Sequence, residues 1–274
     1  MSAAGMLDHL AIGVVDWSDG FDVYAAELGG AWSHGGDAGE FAPYQLVYRH
    51  GFRLEFIAPG SQQGFMHRFI DRDGPGAHHI TFKVPSLERA LDEVAELGIE
   101  PLGGRTDVPF WQEAFLHPKT SALGTLIQLA EVDDELLRSQ IRDSPRPPGF
   151  PEEQRPQRTI AWVGLTTSDM AVARALLLDT LDGTVEAFGD DWMLASWGPG
   201  RRLLVRSGSA TPGGAALWAD APLLGVAHVV VEPSETTPDQ LSSGSAPARR
   251  LPHDPRTRVP VWMATDRLDA PGPL

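Results

Sequence analysis

Apolar and polar residues alternate over Leu7–Val14, with His9, Ala11 and Gly13 on one side of a predicted strand and Leu10, Ile12 and Val14 on the other. From Asp16 the period changes. Trp17, Phe21, Tyr24, Ala25 and Leu28 recur at helical spacing until Gly29-Gly30 stops the run. A glycine-rich loop, His34–Gly39, leads into a strand over Tyr44–Arg49, a tight turn at His50-Gly51 and a returning strand over Phe52–Ala58, closed by Pro59. Ala31–Ser33 fits a further short strand.

The pattern then starts again. Gly74-Pro75-Gly76-Ala77-His78 delivers His79 to the head of the run His79–Val84, 70 residues after His9. A helix over Ser86–Leu97 follows, with Ser86 as a good N-cap. Strands are predicted near Pro101–Leu102, Ala114–His117 and Thr125–Leu129. The two helical segments, Asp19–Leu28 and Glu88–Leu97, each end in glycine, at Gly29 and Gly98. Residues 1–135 therefore read as an internal duplication of one strand–helix–strands unit. A short charged helix, Asp134–Arg142, comes before the proline-dense Ser144–Pro151, and 136–158 reads as a linker.

Residues 159–274 form a faded copy of the first module. Ile160–Asp169 overlays Leu7–Asp16 at an offset of 153, and the helix Met170–Leu181 ends in Asp182-Gly183. Leu203–Arg206 overlays Leu54–Ile57, and Gly225–Val229 overlays Gly76–Ile80, both at an offset of 149. Pro238–Pro255 reads as loop and Val259–Ala264 as a last strand. In this copy Trp162 stands where His9 does, Leu204 where Glu55 does, and only His228 survives.

Composition narrows the chemistry. The 274 residues are 42% hydrophobic, ample for a packed core, and carry a net charge of −15. That balance leaves no basic patch for nucleic acid or an anionic membrane. Without cysteine there are no disulfides, thiolate nucleophiles or Cys-ligated metals. The N-terminus lacks a basic leader and no run approaches the length of a membrane span, so cytoplasmic is the default location.

Four polar residues interrupt apolar strands of the first module: His9, Glu55 in Leu54-Glu55-Phe56-Ile57, His79, and Gln128 in Leu126-Ile127-Gln128-Leu129. Burying such groups is costly unless a partner or a metal satisfies them. Glu55 follows His9 by 46 residues and Gln128 follows His79 by 49, so these two are duplicates as the histidines are. Pseudo-twofold symmetry brings one pair from each half together. Two imidazoles, a carboxylate and an amide oxygen suit one divalent ion: zinc, nickel, cobalt, manganese or iron(II). Alternation sends His78 to the opposite face unless the register slips. His117-Pro118-Lys119 reads as a turn, and the eight tryptophans as core or interface.

Leu7-Asp8-His9, Leu54-Glu55-Phe56, His78-His79-Ile80 and Phe115-Leu116-His117-Pro118-Lys119, with Leu126-Ile127-Gln128-Leu129 after them, resemble the vicinal oxygen chelate superfamily over most of residues 6–132. That superfamily includes glyoxalase I, methylmalonyl-CoA epimerase, extradiol dioxygenases and bleomycin-resistance proteins, and the epimerase branch is the nearest in motif. The resemblance implies an α+β fold: tandem modules of paired βαβββ units, each a cupped mixed sheet with flanking helices. It also implies His9, Glu55, His79 and Gln128 as metal-ligand positions. Gln128 departs from the family's usual glutamate, and an exchange across the pseudo-twofold preserves the ligand set. The family's further glutamate, on the strand over Tyr44–Arg49, has only Gln45 and Tyr48 nearby.

By that resemblance the function is a metal-dependent isomerase, epimerase or lyase on a small carbonyl or acyl-CoA-like compound. Glu55 moves the proton, the metal stabilises an enediolate, and Lys119 meets an anionic part of the substrate. The alternatives are Fe(II)-dependent extradiol ring cleavage and a non-catalytic binding protein. Loops His34–Tyr44 and Gly103–Gln112 are the expected seat of substrate selection. The second module is expected to act as an internal partner, the chain being a monomer or a homodimer.

Overall fold

A computed structural model describes residues 5–148, 150, 155–208, 222, 224–232, 248–252 and 254–264. Its strands are β1 (Met6–Gly13), β2 (Ala31–Gly35), β3 (Phe41–Val47), β4 (Arg53–Pro59), β5 (Gly76–Lys83), β6 (Pro101–Arg105), β7 (Trp111–Leu116) and β8 (Leu126–Val132) in a first sheet. A second sheet holds β9 (Ile160–Thr167), β10 (Thr184–Phe188), β11 (Trp192–Ser196), β12 (Arg202–Ser207), β13 (Gly225–Val231), β14 (Ala248–Arg250) and β15 (Val261–Ala264). The first sheet has the order β2-β3-β4-β1-β5-β8-β7-β6 and the second β10-β11-β12-β9-β13-β15-β14. In both, the two central strands are antiparallel and each lies parallel to the last strand of its own unit. This is the paired βαβββ arrangement in the first sheet; in the second, the described residues of the last unit supply the three strands β13, β14 and β15.

Residues Asp16–Leu28 do form the predicted helix, but not a regular one. It opens as a 3-10 turn over Trp17–Gly20, capped by Asp16, and continues with π-helical hydrogen bonding over Phe21–Glu27. In the second unit the helix is regular: α2, Leu87–Glu96, with the Ser86 hydroxyl accepting from the Arg89 amide. Two further helices stand out. α1 (Phe65–Asp73) follows β4, and α3 (Asp134–Ile141) follows β8. α4 (Met170–Arg174) and a π-helical extension, Ala175–Thr180, are the second module's counterpart of the first helix.

Four strands and helices were not among the sequence expectations: α1, β10, β11 and β14. The loop expected over Pro238–Pro255 is corrected in part, because Ala248–Arg250 pairs antiparallel with β15; residues 238–247 lie outside the described set, as do 149 and 151–154 of the proline-rich stretch. Within that stretch Phe150 is buried, 5.3 Å from Phe21 and 5.8 Å from Trp32 between ring centroids. Farther along, the Gln157 amide donates to Gly29 C=O and the Arg49 amide to Arg158 C=O, so the connection is fastened to the first module.

One apolar core runs through both modules. Leu10, Ile12, Phe82 and Leu129 from the first sheet join Val163, Leu165, Leu203 and Val229 from the second in a single cluster. The Phe82 and Trp197 rings meet edge to face at 5.0 Å, and Arg201 Nη1 donates to Leu7 C=O at 2.6 Å. Thr167 Oγ1 likewise donates to Ala122 C=O. The opposite face of the first sheet is left to a cavity. Among the described residues no helix is long and apolar enough to cross a membrane.

Phe82→Ala is expected to lower stability by about 3–5 kcal/mol, as for other fully buried phenylalanines. A double-mutant cycle with Trp197→Ala, followed by urea denaturation, should return about 0.5–1.5 kcal/mol of coupling if the modules pack through this contact.

Candidate metal centre

The cup-side face of the first sheet presents His9 from β1, Glu55 from β4, His79 and Thr81 from β5, and Gln128 from β8. Register places them together: Glu55 lies opposite Ala11, Ala11 opposite His79, and Thr81 opposite Gln128. All are buried, with exposures from 0% for Thr81 to 8% for Glu55. Glu55 Oε2 is 3.6 Å from His9 Nε2 and 3.8 Å from His79 Nε2. The facing ligand atoms of His9, Glu55 and His79 all lie within 4.8 Å of one another. Bonds of about 2.1 Å in tetrahedral array put ligand atoms roughly 3.4 Å apart, so small adjustments would close these three around one ion. The buried Nε2 of His79 has no hydrogen-bond partner, as a position that could take a metal requires.

The chemistry of each ligand is set by its neighbours. His9 Nδ1 lies 2.9 Å from Asp8 Oδ2, leaving Nε2 toward the cluster. Burial opposes a charge on Asp8, but the His9 hydrogen bond and the Arg53 and Lys83 charges outweigh it and hold the carboxyl well below its ordinary range. Arg53 Nη1 reaches Asp8 Oδ1 at 2.7 Å. Burial, with the neighbouring His78 and His9, pushes His79 well below its ordinary value, so it is a neutral imidazole and a ready ligand near pH 7.

Two amide–carboxylate pairs flank the histidines. Gln45 Nε2 donates to Glu55 Oε1 at 2.9 Å, which turns Glu55 Oε2 toward the histidines. On the other side Gln128 Nε2 donates to Glu113 Oε2 at 2.6 Å, and Gln128 Oε1 accepts from the Thr81 hydroxyl, which also contacts His9 Nε2 at 2.9 Å. Glu113 additionally accepts from Trp111 Nε1 at 2.6 Å. Each half thus carries an amide–carboxylate pair, with the carboxylate on the inner strand in one and the amide in the other; Gln45 lies directly opposite Glu55, whereas Glu113 lies two residues before Phe115, the residue opposite Gln128.

Several expectations are corrected here. Of the two polar residues considered near the missing glutamate, Gln45 belongs to the site, whereas Tyr48 is buried on the other face and donates to Tyr24 C=O. Sequence reasoning passed over Glu113, whose partners Gln128 and Trp111 are visible only once β7 and β8 are paired. His78 does not turn away: a bulge in β5 keeps its ring on the cup side, where Nδ1 is 2.8 Å from His79 Nδ1. Lys119 is exposed and not part of the cavity wall, although His117 and Pro118 are.

The cavity over the cluster has a volume of about 1210 Å3. The stretch from His34 to Pro43 and that from Arg105 to Trp111 line opposite parts of it, with Phe65, Phe69 and Arg68 of α1 and Leu137 of α3. α1 seats closely because Gly13 has no side chain; a Cβ there would lie 2.5 Å from the Phe69 ring. Burial of the His34 ring, aided by the Arg53 charge, pulls its pKa down to about 4.

The second sheet repeats the register with different side chains. Leu204 pairs with Gly164 as Glu55 does with Ala11, His228 pairs with Gly164 as His79 does with Ala11, and Val230 pairs with Trp262 as Thr81 does with Gln128. Trp162, Leu194, Leu204 and Trp262 therefore occupy the places of His9, Gln45, Glu55 and Gln128. They form their own apolar cluster, and Trp162 Nε1 donates to His228 Nε2 at 3.4 Å. Indole and leucine fill what is a polar floor in the first module.

Residues 6–125 match the family model of the Glyoxalase/Bleomycin resistance protein/Dioxygenase superfamily. An uncharacterized Bacillus subtilis protein, YqjC, is 27% identical over 128 residues, covering 46% of this chain and 91% of its own length. The crystal structure of methylmalonyl-CoA epimerase from Mycobacterium tuberculosis is 23% identical and aligns with 50% of this chain and 94% of its own, at a TM-score of 0.44. A hypothetical protein from Staphylococcus aureus aligns with 94% of this chain and 98% of its own at a TM-score of 0.57, with 10% identity, a likeness of fold that spans both modules.

Glu113→Ala removes the acceptor of both the Gln128 amide and the Trp111 indole, and is expected to destabilise the chain by about 1–3 kcal/mol in urea denaturation. Removing the amide as well, in Glu113→Ala/Gln128→Leu, should recover part of that loss. The buried His9–Glu55–His79 cluster and the strand register that assembles it fall within residues 6–125, the stretch that matches the Glyoxalase/Bleomycin resistance protein/Dioxygenase superfamily model.

Proposed function

We propose that the protein is a divalent-metal-dependent isomerase, epimerase or lyase acting on a small carbonyl or acyl-CoA-like compound. The observation that carries this reading is the convergence of His9 Nε2, His79 Nε2 and Glu55 Oε2 at the base of a large cavity, with the His79 nitrogen buried and unpaired. His9, Glu55 and His79 would hold the ion, and the Gln128 amide oxygen would complete the set once the Thr81 hydroxyl gives way. A cation there would supply Lewis-acid stabilisation to a substrate oxygen that gains negative charge. Zinc, nickel, cobalt, manganese and iron(II) all accept this mixture of nitrogen and oxygen donors.

The chain's own groups divide the remaining work. The Glu55 carboxylate takes a proton from the carbon next to the substrate carbonyl and returns it, while Gln45 orients it through Oε1. Glu113, the second carboxylate at the cluster, is held by Gln128 and Trp111 and serves to orient the amide. This arrangement favours one-base isomerisation or a lyase step over two-base epimerisation. Phe41, Phe65, Phe69 and Phe115 make the wall around the reacting carbon apolar and limit water.

The test is exchange of solvent deuterium into the carbon next to the carbonyl, followed by proton NMR in D2O with a panel of acyl-CoA thioesters and α-hydroxy ketones. Metal-loaded protein should catalyse exchange with at least one of them, and Glu55→Gln should slow it by about 100-fold or more. No exchange by fully loaded protein would contradict the proposal, and oxygen uptake with catechols would replace it by ring cleavage.

A further inference from the structure

Each metal-facing histidine of the first module is preceded by a residue that ordinary strand geometry would send to the other face. Neither goes there. In the pairing of β1 with β5, Leu7 faces Phe82 and His9 faces Thr81, which leaves Asp8 as an extra residue; Ala11 faces His79 and Ile12 faces Ala77, which leaves His78 as another. Each is a β-bulge, a device that re-aims a side chain. Both bulges sit one residue before a histidine, 70 residues apart, and both bring the extra side chain to the Nδ1 of its neighbour. The distances are 2.9 Å for Asp8 to His9 and 2.8 Å for His78 to His79.

The chemistry of the first pair fixes its direction. Asp8, held ionised by Arg53, can only accept, so His9 Nδ1 donates. In the second pair a proton lies on one of the two facing nitrogens. On His79 it leaves Nε2 as a lone pair toward the cluster; on His78 it puts the His79 proton on Nε2, a buried N–H whose nearby carboxylate oxygen, Glu55 Oε2 at 3.8 Å, is beyond hydrogen-bond distance. Orphaned buried donors are the rarer and costlier case. The His78 ring is held for this task by Phe69 at 4.7 Å and Phe65 at 6.0 Å.

The second module supplies the control. Its central pairing has bulges at the corresponding places, with Ala161 extra between Ile160 and Trp162, and Ala227 extra between Val226 and His228. The backbone feature persists where the ligand set is lost, and both extra positions are alanine. A bulge at these sites therefore does not itself require a polar side chain. Asp8 and His78 are present where there are two histidines to orient.

We infer that His78 is a positioning residue, the counterpart of Asp8, which accepts from His79 Nδ1 and so presents the His79 Nε2 lone pair to the metal. This rests on the metal-site reading, but its first test does not need the metal. The histidine tautomers of metal-free wild-type protein are read by 15N-edited NMR of the imidazoles. His79 should be the Nδ1–H form, and an Nε2–H form would overturn the inference. His78→Asn returns an acceptor at about the same place, whereas His78→Leu does not. His78→Leu should shift His79 toward the Nε2–H form and weaken Zn(II) or Co(II) binding about 10–100-fold, as loss of such partners does elsewhere. His78→Asn should restore the tautomer and most of the affinity. An unchanged tautomer in His78→Leu, or equal damage in both variants at matched thermal stability, would overturn it. If wild type has the stated tautomer and binds no metal, the metal reading fails and the orienting contact stands.

Discussion

Two imidazoles and a carboxylate buried side by side on the floor of a sheet are the constraint on which the first module depends. Left alone, such groups would destabilise the fold, because each gives up water and gains no equal partner. The surroundings are arranged to meet that demand group by group. Asp8 engages His9, His78 engages His79, and Gln45 engages one oxygen of Glu55. Each of these contacts uses up the atom that faces away from the centre. What remains is a set of ligand atoms aimed at a common point, with His79 Nε2 still unpaired.

The second module shows the same backbone freed from that constraint. Strand order and register persist, and so do the bulges, yet the cup is filled by Trp162, Leu194, Leu204 and Trp262. His228 persists, fully buried with its ring against the space left by Gly164, where a Cβ would come within 2.4 Å of it. The apolar core common to both modules lies on the other side of the sheets, so loss of the polar floor leaves the packing between them intact.

Much of this was legible in the sequence because duplication makes a polar interruption stand out. His9 with His79, and Glu55 with Gln128, recur at nearly equal spacing within apolar runs, and register places all four on one face. Strict alternation failed at His78, since a bulge adds a residue without any composition of its own to announce it. α1 was missed for a local reason: Gly64 provides no capping side chain, and the segment is only nine residues long. Glu113 was missed for a long-range one, because its meaning depends on a partner 15 residues away across a β-hairpin. The outer strand β10 and its neighbour β11 escaped because the faded copy retains its similarity mainly in the central strands.

The most direct measurement is the metal content of tag-free protein by elemental mass spectrometry, on wild type beside His79→Ala and a His228→Ala control. The structure predicts about one equivalent of a transition metal per chain in wild type, lost in His79→Ala and retained in His228→Ala. Absence of metal from wild type after reconstitution, or its retention in His79→Ala, would contradict the account.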